Sequence, residues 1–182
     1  MASLAIFDGS QFNLAFAQDN AKSKYEDVDR SASTQPKLPL NISAPKMLRP
    51  LLEKMLLASP TFRRQCEEID RARHLKIYIK LLRTHYNKGY RAVSNVKRYE
   101  GGLLKVRMEL LMPDDLVELI GHEFEHVLEQ IEQIDLEAQV FTKVSDISRN
   151  HDGSFETARA IQAGRRVRME FNERDKAPAA VL

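Results

Sequence analysis

The stretch LVELIGHEFEHVLEQIEQI, residues 116–134, predicts the long amphipathic helix around which the fold is built. Apolar residues recur in it every three or four positions, which is the period of a helix with one buried side. Pro113, Asp114 and Asp115 precede it, and acidic residues favour the positive end of a helix. A helical wheel gives the following buried side: Leu116, Leu119, Ile120, Phe124, Val127, Leu128, Ile131 and Ile134.

The same helix carries an HExxH motif, from His122 to His126. Histidines four positions apart lie one above the other on a helix, so that both can bind one zinc ion. Glu123 falls on the apolar side, where an ionised carboxylate is costly without a partner or a task. Taking a proton from a zinc-bound water would be such a task. Two surface histidines on an ordinary helix are the simpler alternative, and the inward Glu123 does not fit it.

The remaining glutamates of the helix gather on the opposite or neighbouring side, which we expect to be solvated. They are Glu118, Glu125, Glu129 and Glu132. A catalytic zinc site normally takes three protein ligands, and Glu129 is closer in angle to the histidines than Glu132. Asp135 and Glu137 become alternatives only if the helix bends.

Glu156 is the preferred third zinc ligand. It lies near the start of a predicted last helix, from Phe155 to about Asn172, with Ser154 as its cap. On that helix Glu156 shares a side with Ala160, Ala163 and Gly164, and such small residues permit close approach to another helix. A glutamate in a first turn that is favoured only by the helix dipole is the alternative.

The preceding sequence predicts two helices and three strands. The helices cover residues 46–58 and 60–71, with Ser59 as cap and Pro60 at the first position of the second helix. The strands cover residues 74–81, 91–99 and 104–110, and Gly101-Gly102 marks a tight connection. The predicted class is α+β: two helices, a small antiparallel sheet, the HExxH helix and a closing helix.

Three segments follow from these patterns. Residues 1–45 are predicted to be a flexible arm, residues 46–174 the domain and residues 175–182 a frayed tail. Residues 1–17 also resemble the remnant of an export signal, although no Lys or Arg follows Met1 and polar residues interrupt the apolar stretch. A cytoplasmic location is the first interpretation, and a periplasmic or secreted one is the alternative.

Composition excludes several classes of protein. The chain has 182 residues, and 28 Lys and Arg against 26 Asp and Glu leave a net charge of +2, without the basic excess of a nucleic-acid binder. No apolar run approaches the roughly 18 residues of a membrane span. The single cysteine excludes an intramolecular disulfide and a Cys-rich zinc site. Any metal site must therefore use histidines and carboxylates.

The HExxH motif followed by Glu156 resembles the zincin metallopeptidases, in particular the gluzincin-like group, whose third zinc ligand is a glutamate on a downstream helix. Residues 59–171 also look like a set of short bacterial proteins, which often carry export signals. The resemblance implies Zn²⁺ held by His122, His126 and Glu156, and hydrolysis of a peptide or protein substrate with Glu123 as general base.

The resemblance also implies an edge strand that holds the substrate in extended form, for which residues 104–110 are the candidate. His151 and Tyr78 are the candidates for a second group that stabilises the oxyanion. Two alternatives stay open. One is a catalytically silent zincin-like scaffold that binds a protein partner, and the other is a helical interaction module whose motif is a coincidence.

Overall fold

The computed structural model describes residues 2–6, 36–82, 91–112, 115–140, 146–150 and 153–176. These residues form a mixed α+β fold with five helices and a seven-stranded sheet, and the predicted class is confirmed. The strands are β1 (Ala2–Ile6), β2 (Ile42–Ser43), β3 (Leu75–Leu82), β4 (Ala92–Arg98), β5 (Leu104–Leu111), β6 (Ile147–Arg149) and β7 (Phe155–Thr157). The helices are α1 (Arg49–Ala58), α2 (Pro60–Arg71), α3 (Leu116–Ile131), α4 (Leu136–Val140) and α5 (Ala158–Lys176).

The strands form one mixed sheet in the order β2-β3-β5-β4-β1-β7-β6. β5 runs parallel to β3, from Leu104 opposite Leu75 to Leu111 opposite Leu82, and antiparallel to β4. The predicted antiparallel pairing is therefore confirmed for β4 and β5 and wrong for β3, because β5 lies between β3 and β4 and shares the direction of β3. Since β5 is paired on both sides, it also has no free edge to offer a substrate.

Two strands lie inside the segment predicted to be a flexible arm. β1 pairs in parallel with β4, and β2 pairs in parallel with β3. The prediction of an arm is wrong for these two strands, because strands of two and five residues are too short to show a clear alternation in the sequence. Residues 7–35 lie outside the described residues.

The helices cover one face of the sheet. α3 contacts β1, β4 and β5, and it packs along α5. Alternate residues of β3 and β5 are buried beneath the helices, and the rings of Phe62 in α2 and Phe124 in α3 lie 5.2 Å apart at the centre of the core. Among the described helices, none has the combination of length and apolar character that crossing a membrane requires.

The start of α2 forms as predicted and also holds α5. The Ser59 hydroxyl accepts a hydrogen bond from the Phe62 N–H at 3.0 Å, which is the expected cap. Glu170 of α5 accepts hydrogen bonds from the N–H of Thr61 at 3.0 Å and from its hydroxyl at 2.8 Å. A carboxylate is stabilised at this position because the first N–H groups of a helix have no partner within it.

The last helix starts later than predicted. Phe155 to Thr157 form β7 and pair with β6, and α5 begins at Ala158. The hydroxyl of Thr157, not that of Ser154, caps α5, because it accepts the N–H of Ala160 at 3.0 Å. Ser154 instead accepts a hydrogen bond from the Asn150 side chain at 3.0 Å. Glu156 therefore lies on a strand immediately before the helix.

Glycines permit the close approach of α3 and α5. A Cβ atom at Gly121 would lie 2.8 Å from the Val167 side chain, and a Cβ atom at Gly164 would lie 2.7 Å from the carbonyl oxygen of Glu118 and 3.0 Å from the Cβ atom of His122. The backbone of α5 is thus packed directly against the turn of α3 that begins the HExxH motif.

Replacing Gly164 by alanine should destabilise the fold although alanine is the better helix former. The helix propensity alone would stabilise the variant by about 1 kcal/mol. The clash with the Glu118 carbonyl must move the helix backbone, which costs about 1–3 kcal/mol. Urea unfolding should show a net loss of stability, with Gln162→Ala, an exposed position on the same helix, as the control. A more stable Gly164→Ala variant would contradict the close packing.

Candidate metal centre

His122 and His126 lie one turn apart on α3 and are buried. Their ring centroids are 4.7 Å apart, and the rings are nearly perpendicular. α3 runs between the sheet and α5, so that both rings are held in the interior of the domain and away from bulk solvent. The predicted pairing of the two imidazoles on one side of a helix is thus present in the structure.

Glu156 reaches the same point from β7. Its Oε1 atom lies 3.2 Å from His122 Nε2 and 3.6 Å from His126 Nε2. One ligand atom from each of the three residues lies within 4.8 Å of the other two. The structure therefore brings the three predicted ligands together, although Glu156 arrives on a strand and not on the helix that the sequence predicted.

The three groups fit a zinc ion. Ligand atoms at about 2.0–2.1 Å from a tetrahedral zinc lie about 3.3 Å from one another, and the two distances from Glu156 lie on either side of this value. The two Nε2 atoms and the carboxylate are the donor types that zinc prefers. Neither Nε2 atom has a hydrogen-bond partner of normal geometry, although both are buried.

Mutual attraction holds the three groups in place. Burial disfavours the charged carboxylate, but the imidazoles of His122 and His126, 3.2 and 3.6 Å away, outweigh it and lower the pKa of Glu156 to about 2. Burial also disfavours a charged His126, but the hydrogen bond with Glu129 and the nearby carboxylate of Glu156 outweigh it and raise the pKa of His126 to about 10. A metal ion that binds here must displace the proton of His126.

Glu123 is completely buried, and neither of its carboxylate oxygens has a hydrogen-bond partner. It faces β4, where the hydroxyl of Ser94 is also buried and without a partner of normal geometry. Burial raises the pKa of Glu123, while His126 and His122 oppose the rise. An unpartnered buried carboxylate beside three potential ligands is the feature that a structural role alone does not explain.

Glu129 orients His126 from the opposite side of the ring. Its Oε2 atom lies 2.8 Å from His126 Nδ1, and its Oε1 atom accepts a hydrogen bond from the Thr157 hydroxyl at 2.6 Å. One carboxylate therefore connects a ligand on α3 to the residue that follows Glu156 on β7. Glu129 contacts Nδ1 of His126 and not the Nε2 side of the ring, where Glu156 lies. The alternative prediction that Glu129 is the third zinc ligand therefore does not match its position. The spacing of three residues from His126 was the available sequence signal for this contact.

The predicted solvated side of α3 is wrong at Glu125 and at Glu129, both of which are buried. Only 2% of Glu125 is exposed, and its carboxylate accepts hydrogen bonds from Arg64 at 2.8 Å, Gln65 at 2.7 Å and Arg159 at 2.7 Å. Arg159 also binds Glu132, with a contact of 2.7 Å from Nη2. These residues come from α2, α3 and α5, so the network ties together the helices that surround the site.

The other predicted residues lie elsewhere. Tyr78 is 48% exposed on the outer side of β3, with β5 between it and β4. His151 lies outside the described residues. Asp135 accepts the N–H of Ala138 at 2.9 Å, and Glu137 is a largely exposed residue at the start of α4. Tyr78, Asp135 and Glu137 are therefore not part of the cluster of His122, His126 and Glu156.

Comparisons with known proteins add no identification. No protein-family model, no curated protein and no solved structure matches the chain. The resemblance to zincins therefore stays a prediction from the motif, and any functional argument rests on the geometry of the site.

Replacing Glu129 by glutamine should weaken zinc binding by about ten- to a hundred-fold, which is the usual effect of losing a partner that orients a metal-bound histidine. The amide keeps the shape of the side chain but not the charge that holds the His126 ring. Competition with a zinc-binding dye measures the change. Glu67→Gln, on the exposed side of α2, is the control. Equal zinc affinity in Glu129→Gln and the wild type would remove this role.

Proposed function

We propose that the chain is a zinc-dependent peptidase with a zincin-like site. The observation that carries the proposal is the convergence of Glu156 on the Nε2 atoms of both HExxH histidines, with the buried, unpartnered carboxylate of Glu123 on the same helix. A coincidental motif would not require a carboxylate from a distant strand to meet both rings. The convergence therefore weighs against the simple helical module.

His122, His126 and Glu156 would hold the metal. When bound, zinc acts as a Lewis acid, polarising a carbonyl group and lowering the pKa of a coordinated water. Three protein ligands leave a coordination position open, as in catalytic sites. Glu129 keeps the His126 ring in the orientation that presents Nε2 to the site.

Glu123 is the general base of the proposed reaction. It takes the proton of the attacking water and later returns it to the nitrogen of the leaving amine. Burial raises the pKa of Glu123 above that of a free glutamate, and a raised carboxyl pKa is common among general acids and bases. Tyr78 takes no part in the proposed reaction because its side chain is exposed on the outer side of the sheet.

A catalytically silent zincin-like scaffold is the second candidate, and one observation favours it. The side chains of His122, His126 and Glu156 are only 8%, 0% and 15% exposed. Structural zinc sites are closed, whereas catalytic sites keep one position accessible. The two candidates agree on the metal and differ on the role of Glu123.

Replacing Glu123 by glutamine should leave zinc binding unchanged and reduce peptide hydrolysis by at least about a hundred-fold, because the amide cannot accept the proton. Zinc content is measured on the purified variant, and hydrolysis is measured with a mixture of fluorogenic peptides. Glu118→Gln, a partly exposed residue of the same helix, is the matched control. Equal hydrolysis by Glu123→Gln and the wild type would exclude Glu123 as the base.

The same measurements separate the metal site from the chemistry. His122→Ala and Glu156→Ala should lose zinc, whereas His74→Ala, an exposed histidine, should retain about one zinc per chain. Zinc bound without any hydrolysis by the wild type would favour the silent scaffold. A wild type without zinc would contradict both candidates.

A further inference from the structure

β1 is inserted between the two strands that carry the site. It pairs in parallel with β4, from Ala2 opposite Ala92 to Ile6 opposite Val96. On its other side, Leu4 pairs antiparallel with Phe155 of β7. The backbone of Leu4 is therefore the register partner of both Ser94 and Phe155.

This register brings β1 to the metal centre. Ser94 is the residue of β4 that the carboxylate of Glu123 faces. Phe155 directly precedes the proposed ligand Glu156. β1 also contacts α3, which carries both histidines. β1 thus lies between β4, which Glu123 faces, and β7, which carries Glu156.

The edge of β4 that β1 covers has the properties of a peptide-binding site. β4 is paired on its other side with β5, and without β1 its outer N–H and C=O groups would be free. A free strand edge binds an extended peptide by strand addition. The structure already shows one extended peptide bound there, which is the segment Ala2–Ile6.

β1 is held in the sheet mainly by its parallel pairing with β4. The pairing of β1 consists of five residue pairs in the parallel arrangement with β4 and one residue pair with β7. Parallel pairing is slightly less stable per residue than antiparallel pairing.

β7 has other attachments that do not involve β1. It pairs with β6, it continues directly into α5, and Thr157 donates a hydrogen bond to Glu129 of α3. α5 itself is packed closely against α3 at Gly164. Glu156 should therefore keep its place beside the histidines when β1 leaves.

We propose that residues 2–6 are an internal blocking strand: they occupy a peptide-binding edge of β4 beside the metal centre, and an extended polypeptide reaches the site by replacing them. The proposal rests on the proposed function, since it names the mode of substrate binding and the control of that same site. It also gives a reason for the low exposure of the three ligands in a protein that acts on peptides.

The test uses the full chain with Leu4→Pro, because proline removes a backbone N–H and cannot continue a paired strand. Leu4→Val, which keeps every backbone donor, is the matched control. The probe is a fluorescein-labelled peptide with the sequence of residues 1–8. We expect Leu4→Pro to bind it at least about ten-fold more tightly than the wild type, because the tethered competitor is lost.

Two further measurements accompany the binding assay. Hydrogen exchange at Ala92–Arg98 should be faster in Leu4→Pro and slow again when the probe is added, and zinc affinity should stay within about two-fold of the wild type. Hydrolysis of the peptide mixture should rise in Leu4→Pro and not in Leu4→Val.

Two outcomes would overturn the proposal. If Leu4→Pro lost zinc affinity by more than about ten-fold, β1 would be a structural part of the metal site. If Leu4→Pro failed to bind the probe, or if the exchange of β4 did not change, the edge of β4 would not be a peptide-binding site. Binding and exchange need neither zinc nor turnover, so they are distinguishable from failure of the proposed function, which Glu123→Gln and the zinc content of the wild type report.

Discussion

The burial of three carboxylates on one helix is the constraint on which the rest of the structure depends. Glu123, Glu125 and Glu129 of α3 are all within the domain. Taking an ionised carboxylate out of water costs several kcal/mol unless charges and hydrogen bonds offset it. The surroundings of α3 are therefore determined by what each of these carboxylates needs, and two of the three have partners within the protein.

The partners of Glu125 and Glu129 assemble the domain around α3. Glu125 is held by Arg64 and Gln65 from α2 and by Arg159 from α5, and Glu129 connects His126 to Thr157. Both sets bring residues from distant parts of the sequence to the motif helix. Glu123 differs because both of its oxygens lack a partner. A cation bound by His122, His126 and Glu156, as we propose, would supply the missing compensation, which links the energetics of the fold to the proposed chemistry.

Local patterns in the sequence were sufficient for the helices and the motif, because helix periodicity and capping depend on neighbours within a turn. The start of α2 at Ser59 and the shared side of His122 and His126 are of this kind. The helical wheel predicts Glu156 as a ligand on a helix, yet Glu156 lies on a strand of three residues, which is too short to show its period. Glu125 is buried because Arg159, 34 residues further along the chain, binds its carboxylate. The parallel pairing of β3 with β5 arises because β4 pairs on the other side of β5. Neither feature can be predicted from neighbouring residues.

The low exposure of the candidate metal centre and the position of β1 have one explanation under the proposed function. A site whose ligands are at most 15% exposed cannot receive a polypeptide unless something moves. α3 and α5 are fixed by close backbone packing at Gly121 and Gly164, and β7 is attached to both helices. β1 borders the site through five parallel pairs with β4 and a single pair with β7, and it resembles a bound peptide in form. Under the proposed function, β1 is thus the element whose departure would open the edge beside Glu123 while Glu156, His122 and His126 keep their other attachments.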